Sequence, residues 1–506
     1  MDRRRRPTLP HIPMSASSPF ALLANATSLP WADIPSWPVG DLVRMTSAEL
    51  SRGARLCSWF GVPEDNAISL VAVLAFDADN ILAVGRSAPC TGSYPSLTTT
   101  APQAHLFERE VWEQHGLIPE GHPWLKPVRL RDGNAPANGK FFRVDGPEIH
   151  EVAVGPVHAG IIEPGHFRFQ CAGEEVLYLE IALGYQHRGI EEALPGGPHR
   201  TTLIQMETVA GDTTIAHTTA HVTVREALAE TEAPLRAQWL RAIALELERL
   251  ANHTGDLGAL AQDVAFLPTS AACGKIRGDF LNLTALLCGN RFGRGLVKPG
   301  GCGYDLDQPR IDDITKRLAQ ALADVEQAAE WLWDSASARA RFENVGTVFS
   351  PQAAEIGLVG PAARACGLVR DVRYDHPVGW HRFAQIPIAV WPDGDVLARA
   401  RVRWLEIQRS GQFLLEQLAS PPDGECLEDL SQPAPDTLAV ALVEGWRGEV
   451  CHVALTDGAG RYRRYKITDP SFHNWTGLSL ALRGQAVSDF PICNKSFNLS
   501  YCGFDL

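Results

Sequence analysis

The sequence predicts an α+β protein in two parts: a small N-terminal α+β module over about residues 36–140, and a mainly α-helical domain over 151–506 that carries a peripheral β-sheet. Three observations predict this. A chain of 506 residues exceeds what one compact core holds. AISLVAVLAFD (67–77) and NILAVGRS (80–87) are β-rich runs joined by the turn-forming Asp77-Ala78-Asp79-Asn80. From Arg236 onward the apolar residues instead recur at three and four: Trp239, Leu240, Ile243, Leu247, Leu250 and Leu257.

Composition narrows the function classes. Apolar content of 45% and charged content of 21% are ordinary for a globular protein. A formal net charge of −13 argues against a nucleic-acid partner, which would call for a basic face. No window approaches about 18 consecutive apolar residues, so the chain is not expected to span a membrane. Eleven cysteines are scattered without a CxxC pair, and are read as free thiols of a reducing cytoplasm rather than a disulfide framework or a paired metal site. MDRRRR begins like a signal peptide, yet prolines break up the stretch after it and residues 1–35 read as a disordered tail, with export as the alternative.

Taken in order, Leu42–Phe60 carries a helical pattern ahead of the two strands, and HLFEREVWEQHGL (105–117) reads as a helix whose Glu108, Arg109 and Glu110 form a solvated face. RDGNAPANGKFFRVDG (131–146) is rich in Gly, Asn and Asp and marks the junction, with residues 141–150 taken as the linker. Alternating Val152, Val154 and Val157, then Phe167 and Phe169, predict a hairpin broken by turns at Gly155-Pro156 and Pro164-Gly165. Thr201–Glu230 reads as one helix, which would place Met206, Ala210, Thr213, His217 and His221 on a single face toward a buried site. In the long helix from Arg236, Glu246, Arg249, His253 and Asp256 follow at three and four on the side opposite the apolar stripe. Two further helices, about Lys275–Leu287 and Ile311–Phe342, complete a bundle. VEGWRGEVCHVALTDGAGRYRRYKITDPSFHNW (443–475) reads as a hairpin turning at Asp457-Gly458, then a proline-started segment.

Several of these stretches carry a resemblance. HRGIEE (187–192), followed by E-x-V-x-G-x-x-x-x-A-H (207–217), resembles the large subunit of the group-4, energy-converting NiFe hydrogenases and the related 49 kDa subunit of respiratory complex I. ELERLANH (246–253), GRGLVKPGGCGYDL (293–306) and ICNKSFNLSYCGFDL (492–506) extend it. SYPSLT, the ER-E helix and GHP (121–123) are similar to the complex I 30 kDa subunit, and fusion of the two modules is a feature of hydrogenase-3 and hydrogenase-4 (formate hydrogenlyase type) large subunits.

The resemblance implies the scaffold of a hydrogenase without its metal chemistry. Ala210 and Thr213 stand at the first two cysteine positions of the family's nickel–iron cage, and Ser500 and Gly503 at the last two. A methyl, two hydroxyls and a bare backbone offer no soft anionic donor. The loop His187-Arg188-Gly189 is implied to face the terminal cluster of the partner and, as in complex I, a quinone headgroup, with Asp263 fixing the tautomer of His187. Gly211 stands where complex I has a quinone-binding tyrosine. His217 faces the same site; with His221 it could hold a divalent metal, but the pair reads as core or interface histidines. No cofactor is expected on the chain itself, and no phosphate-binding glycine loop is found.

The function so implied is that of an oxidoreductase subunit active only in a complex, moving electrons from iron–sulfur partners to a quinone-like acceptor with ion translocation. A non-catalytic coupling scaffold is the alternative, and an active hydrogenase the least favoured reading. The implied partners are a small subunit with a 4Fe–4S cluster, a ferredoxin-like subunit and antiporter-like membrane subunits. Such a chain would sit in the cytoplasm, peripheral on the inner face of the cell membrane.

Overall fold

The computed structural model describes residues 18–129, 139–158 and 162–506. The basic start MDRRRR and residues 131–138 of the junction lie outside them. In the N-terminal module, strands Arg55–Glu64, Ala67–Phe76 and Ile81–Ser87 form an antiparallel meander. Residues 55–60, expected to be helical, belong to its first strand, because the helix Val39–Ser51 ends at Arg52-Gly53. Branched and aromatic side chains then favour the pleat.

Period two explains why Leu70–Ala75 are all buried. Leu70, Ala72 and Leu74 join the core with Leu42 and Phe107, whereas Val71, Val73 and Ala75 pack against Leu438, Val440, Leu442, Cys451, Val453 and Leu455. The latter six belong to a C-terminal sheet of Thr437–Gly445, Gly448–Thr456 and Tyr462–Thr468. Two sheets distant in sequence thus form a sandwich. Residues 18–35 are part of it and not a tail: Ala21–Leu23 pairs with the first sheet and Thr27–Pro30 with the second, each finding an open edge.

Charges close the same junction. Lys466 Nζ lies 2.6 Å from Glu110 Oε2 and 3.0 Å from Glu191 Oε1, and Arg129 bridges Glu110 to the carbonyl of Phe504. The expected solvated face of the helix His105–His115 is therefore buried: Glu108 accepts hydrogen bonds from Ser96, Leu97 and Thr98, and Arg109 donates to the carbonyls of Lys126 and Pro127. Their partners come from loops that wrap the helix.

The linker is also docked, since Phe142 N donates to Glu180 Oε2 at 2.7 Å and a strand begins at Ile149. That strand, Ile149–Val154, pairs antiparallel with His166–Ala172, and Glu175–Ala182 completes a three-stranded sheet. Beyond it helices Leu235–Asp263, Leu267–Cys288, Gln308–Asp334 and Val396–Leu418 make the bundle. The polar side of Leu235–Asp263 is buried rather than solvated. Glu246, Arg249 and His253 meet Glu406, Arg364 and Arg373 in one ion-paired network, and Asp256 meets Arg403. Pairing is what makes such burial tolerable. No helix among the described residues is long and apolar enough to cross a membrane, and all eleven cysteines are free.

Candidate functional site

The expected continuous helix over 201–230 is two helices, Thr202–Met206 and Thr214–Leu228, separated by a turn. Gly211 and the commitment of the Thr213 hydroxyl to Trp446 and Arg447 break it. The second helix starts under a cap from another element: Glu248 accepts from the amides of Ile215 (2.7 Å) and Ala216 (3.4 Å). Burial, with the charge of Asp212 nearby, pushes the Glu248 carboxyl up to about 8. Ala210 and Thr213 thus lie on the turn, and only His217 and His221 share the helix.

The turn faces Ser500–Gly503, and Arg188 ties the two together by donating to the carbonyls of Thr208, Val209 and Cys502. Protein groups fill the space between. Arg447 makes a two-pronged pair with Asp212, at 2.5 and 2.8 Å, and donates to the carbonyl of Asn498. Asp469 reaches beneath Gly503, where an added Cβ would sit 2.6 Å from its Oδ2 and 2.9 Å from Ser500 Oγ. The Ser500 hydroxyl accepts from Gly503 N at 2.9 Å.

The family's nickel–iron group does not fit this donor set. None of the four positions carries a thiol, a cysteine side chain at 503 would collide with a carboxylate, and the Cys502 thiol is pushed up to about 11 by burial and by Glu163. Among the described residues no cluster of three or more His, Cys, Asp or Glu is arranged around a metal position.

His187 is half-buried on the loop beside this pocket. Its Nδ1 lies 2.8 Å from the carbonyl oxygen of Asp505 and 2.9 Å from that of Leu506, so Nδ1 carries the hydrogen and Nε2 is left for another partner. Asp505 pins the loop through the amides of Gly184 and Gln186, and Leu506 through that of Arg188. Gly189 has φ +67, a left-handed turn that suits glycine. Asp263 is not the partner that fixes His187: it pairs with Lys495, and the tautomer is set by backbone carbonyls instead. The helix Phe490–Phe497, which carries Lys495, brings a cation to the end of the long helix.

His217 is fully buried, with a carboxylate beside it. Asp469 Oδ2 lies 2.9 Å from Nε2, and Nδ1 is 3.1 Å from His452. Asp469, His452, Arg447, Glu248 and Asp505 were not singled out from the sequence. Only Asp469-Pro470 carried a signal, as an N-cap followed by a helix-opening proline.

A helical bundle braced by a sandwich, with an HRG loop clasped to the C-terminal turn, defines the large-subunit class of complex I-like oxidoreductases. Family models agree, matching the respiratory-chain NADH dehydrogenase 30 Kd subunit over residues 42–145 and the 49 Kd subunit over 263–437 and 428–505. Formate hydrogenlyase subunit 5 of Escherichia coli (strain K12) is 30% identical over 436 residues, covering 81% of this chain and 76% of that protein. The carbon monoxide-induced hydrogenase of Rhodospirillum rubrum is 29% identical, covering 69% and 97%. The membrane-bound hydrogenase subunit alpha of Pyrococcus furiosus is 27% identical, covering 69% and 85%. The chain belongs to the family of group-4 hydrogenase-type large subunits in which complex I 30 kDa and 49 kDa modules are fused.

Proposed function

We propose that the chain is the large subunit of a membrane-associated, complex I-like oxidoreductase. It takes electrons from a 4Fe–4S cluster in a small partner subunit, fed by a ferredoxin-like subunit, and passes them to a quinone-like acceptor at the His187 loop. Antiporter-like membrane subunits couple this to ion movement, and the chain binds peripherally at the inner face of the membrane. The observation that carries the reading is the posture of His187. Its Nδ1 is fixed by two carbonyl oxygens, and its Nε2 is turned to other use. Reduction of a quinone takes two electrons and two protons; His187, protonated on Nε2, supplies one proton to one reduced oxygen, and water supplies the other.

A coupling scaffold is the second reading, favoured by the engagement of Asp263 with Lys495 and by Gly211 at the tyrosine position. His187→Ala separates the two. With a proton donor at this position, quinone-dependent oxidation of the partner clusters in membranes falls by about 10²-fold or more, with complex abundance unchanged. Unaltered turnover, or loss of the assembled complex, would support the scaffold.

A further inference from the structure

Five buried groups beneath the pocket form one unbranched chain of hydrogen bonds. Asp469 Oδ2 meets His217 Nε2 at 2.9 Å, His217 Nδ1 meets His452 Nε2 at 3.1 Å, His452 Nδ1 meets the Tyr465 hydroxyl at 2.9 Å, and that hydroxyl meets His221 Nδ1 at 2.9 Å. All five side chains are 0–1% exposed. Strand register assembles them. Ala441 pairs with His452 and Ala439 with Ala454, which pairs with Tyr465, so the small alanines let the helix Thr214–Leu228 lay His217 and His221 against His452 and Tyr465.

Hydrogen counting fixes the direction of the chain. Three neutral imidazoles and one phenol bring four hydrogens to four hydrogen bonds, and the carboxylate brings none. Asp469 is held ionised: burial would raise it, but the hydrogen bond from His217 and the charge of Arg447 outweigh that, and Ser471 N caps its other oxygen at 2.7 Å. Starting from that acceptor, His217 and His452 carry hydrogen on Nε2, Tyr465 donates to His452, and His221 carries hydrogen on Nδ1. His221 Nε2 is then a lone pair at the end toward Arg225, one turn on and half-buried.

We propose that this chain is a proton relay between the Arg225 end of the helix Thr214–Leu228 and the floor of the pocket at Asp469. A proton arriving on His221 Nε2 displaces the Nδ1 hydrogen to Tyr465. Tyr465 passes its own to His452 Nδ1, His452 passes its Nε2 hydrogen to His217 Nδ1, and His217 passes its Nε2 hydrogen to Asp469. One proton enters at His221 and one is taken up at Asp469; every imidazole ends neutral in the opposite tautomer, and Asp469 ends as the acid. A static network of the same groups would be ordered in the same way, so conduction is what distinguishes the relay. The relay goes beyond the proposed redox role and rests on it only in the turnover arm of its test.

The ordering is read in the full-length chain with nitrogen-15-labelled histidine. Ring nitrogen shifts are expected to report hydrogen on Nε2 of His217 and His452 and on Nδ1 of His221; any other set overturns the relay. Conduction is read in membranes carrying the assembled complex. Tyr465→Phe removes the linking hydroxyl at nearly constant volume, and is expected to lower turnover about tenfold or more and to enlarge the solvent deuterium isotope effect. His221→Gln, which cuts the chain at its other end, should do the same, whereas Tyr462→Phe, outside the chain, should not. Wild-type turnover in both chain-cutting variants, at equal complex abundance, overturns the relay. Absence of turnover in the wild type overturns the redox role instead, and the tautomers still judge the ordering.

Discussion

Gly503 and Gly211 line the same pocket, and an added methyl group meets opposite surroundings at each. A Cβ at 503 falls 2.6 Å from Asp469 Oδ2, whereas at 211 nothing lies within 4 Å. Gly503→Ala is therefore expected to lower the stability of the full chain by about 1–3 kcal/mol through overpacking. Gly211→Ala is expected to be neutral or stabilising by up to about 1 kcal/mol through the unfolded chain. Denaturant midpoints of the two variants check this; equal effects would mean that Asp469 does not occupy the pocket. Residue type alone made it legible that Ala210, Thr213, Ser500 and Gly503 carry no thiolate. What replaces the ligands was not legible, because Asp469 meets His217 from 252 positions away in the chain. Asp263 shows the reverse error: the resemblance implied a role beside His187, and Lys495, on the helix Phe490–Phe497, claims it.

At the scale of the element, the start of the helix Thr214–Leu228 decides where the pocket lies. Heptad-like spacing runs through residues 201–230 without marking the break, since the cap that ends it belongs to another helix: Glu248 receives the amides of Ile215 and Ala216. The Glu248 carboxyl is raised from 4.5 to about 8, chiefly by burial. A raised carboxyl favours folding in its neutral form, so its contribution is complete below about pH 4.5 and is lost as pH rises through about 8. Glu248→Gln is thus expected to match the wild-type Tm near pH 5 and to exceed it by about 2 °C or more near pH 9. Parallel Tm curves for the two proteins across that range would show that Glu248 is ionised throughout. Elements with strong local patterns, such as the strands Ala67–Phe76 and Ile81–Ser87 and the long helix Leu235–Asp263, were legible nearly to their ends.

Across the whole molecule, the two modules read from composition are one packed body. Their sheets share a core, and Lys466 of the C-terminal sheet meets Glu110 of the N-terminal module 356 positions earlier. The β-rich runs marked the strands but not what their outer face covers, because no local signal encodes a partner hundreds of residues away. Calorimetry of the full chain is expected to give one cooperative transition, and two well-separated transitions would contradict the shared core. Lys466→Met removes the ammonium shared by the buried carboxylates of Glu110 and Glu191, leaving each only its arginine, Arg129 or Arg464, and should cost about 3–5 kcal/mol. The charge network inside the bundle was not legible for the same reason. Glu246, Arg249 and His253 have the spacing of a solvated stripe, and only the arrival of Glu406, Arg364 and Arg373 makes them interior.

All three scales converge on one claim: this chain keeps the hydrogenase-type scaffold while protein side chains fill its metal pocket. Metal content of the purified, assembled complex tests it most directly. Iron from the partner clusters without stoichiometric nickel is the expected result, since a methyl, two committed hydroxyls and a glycine backed by Asp469 supply no thiolate. Nickel near one atom per chain would contradict it.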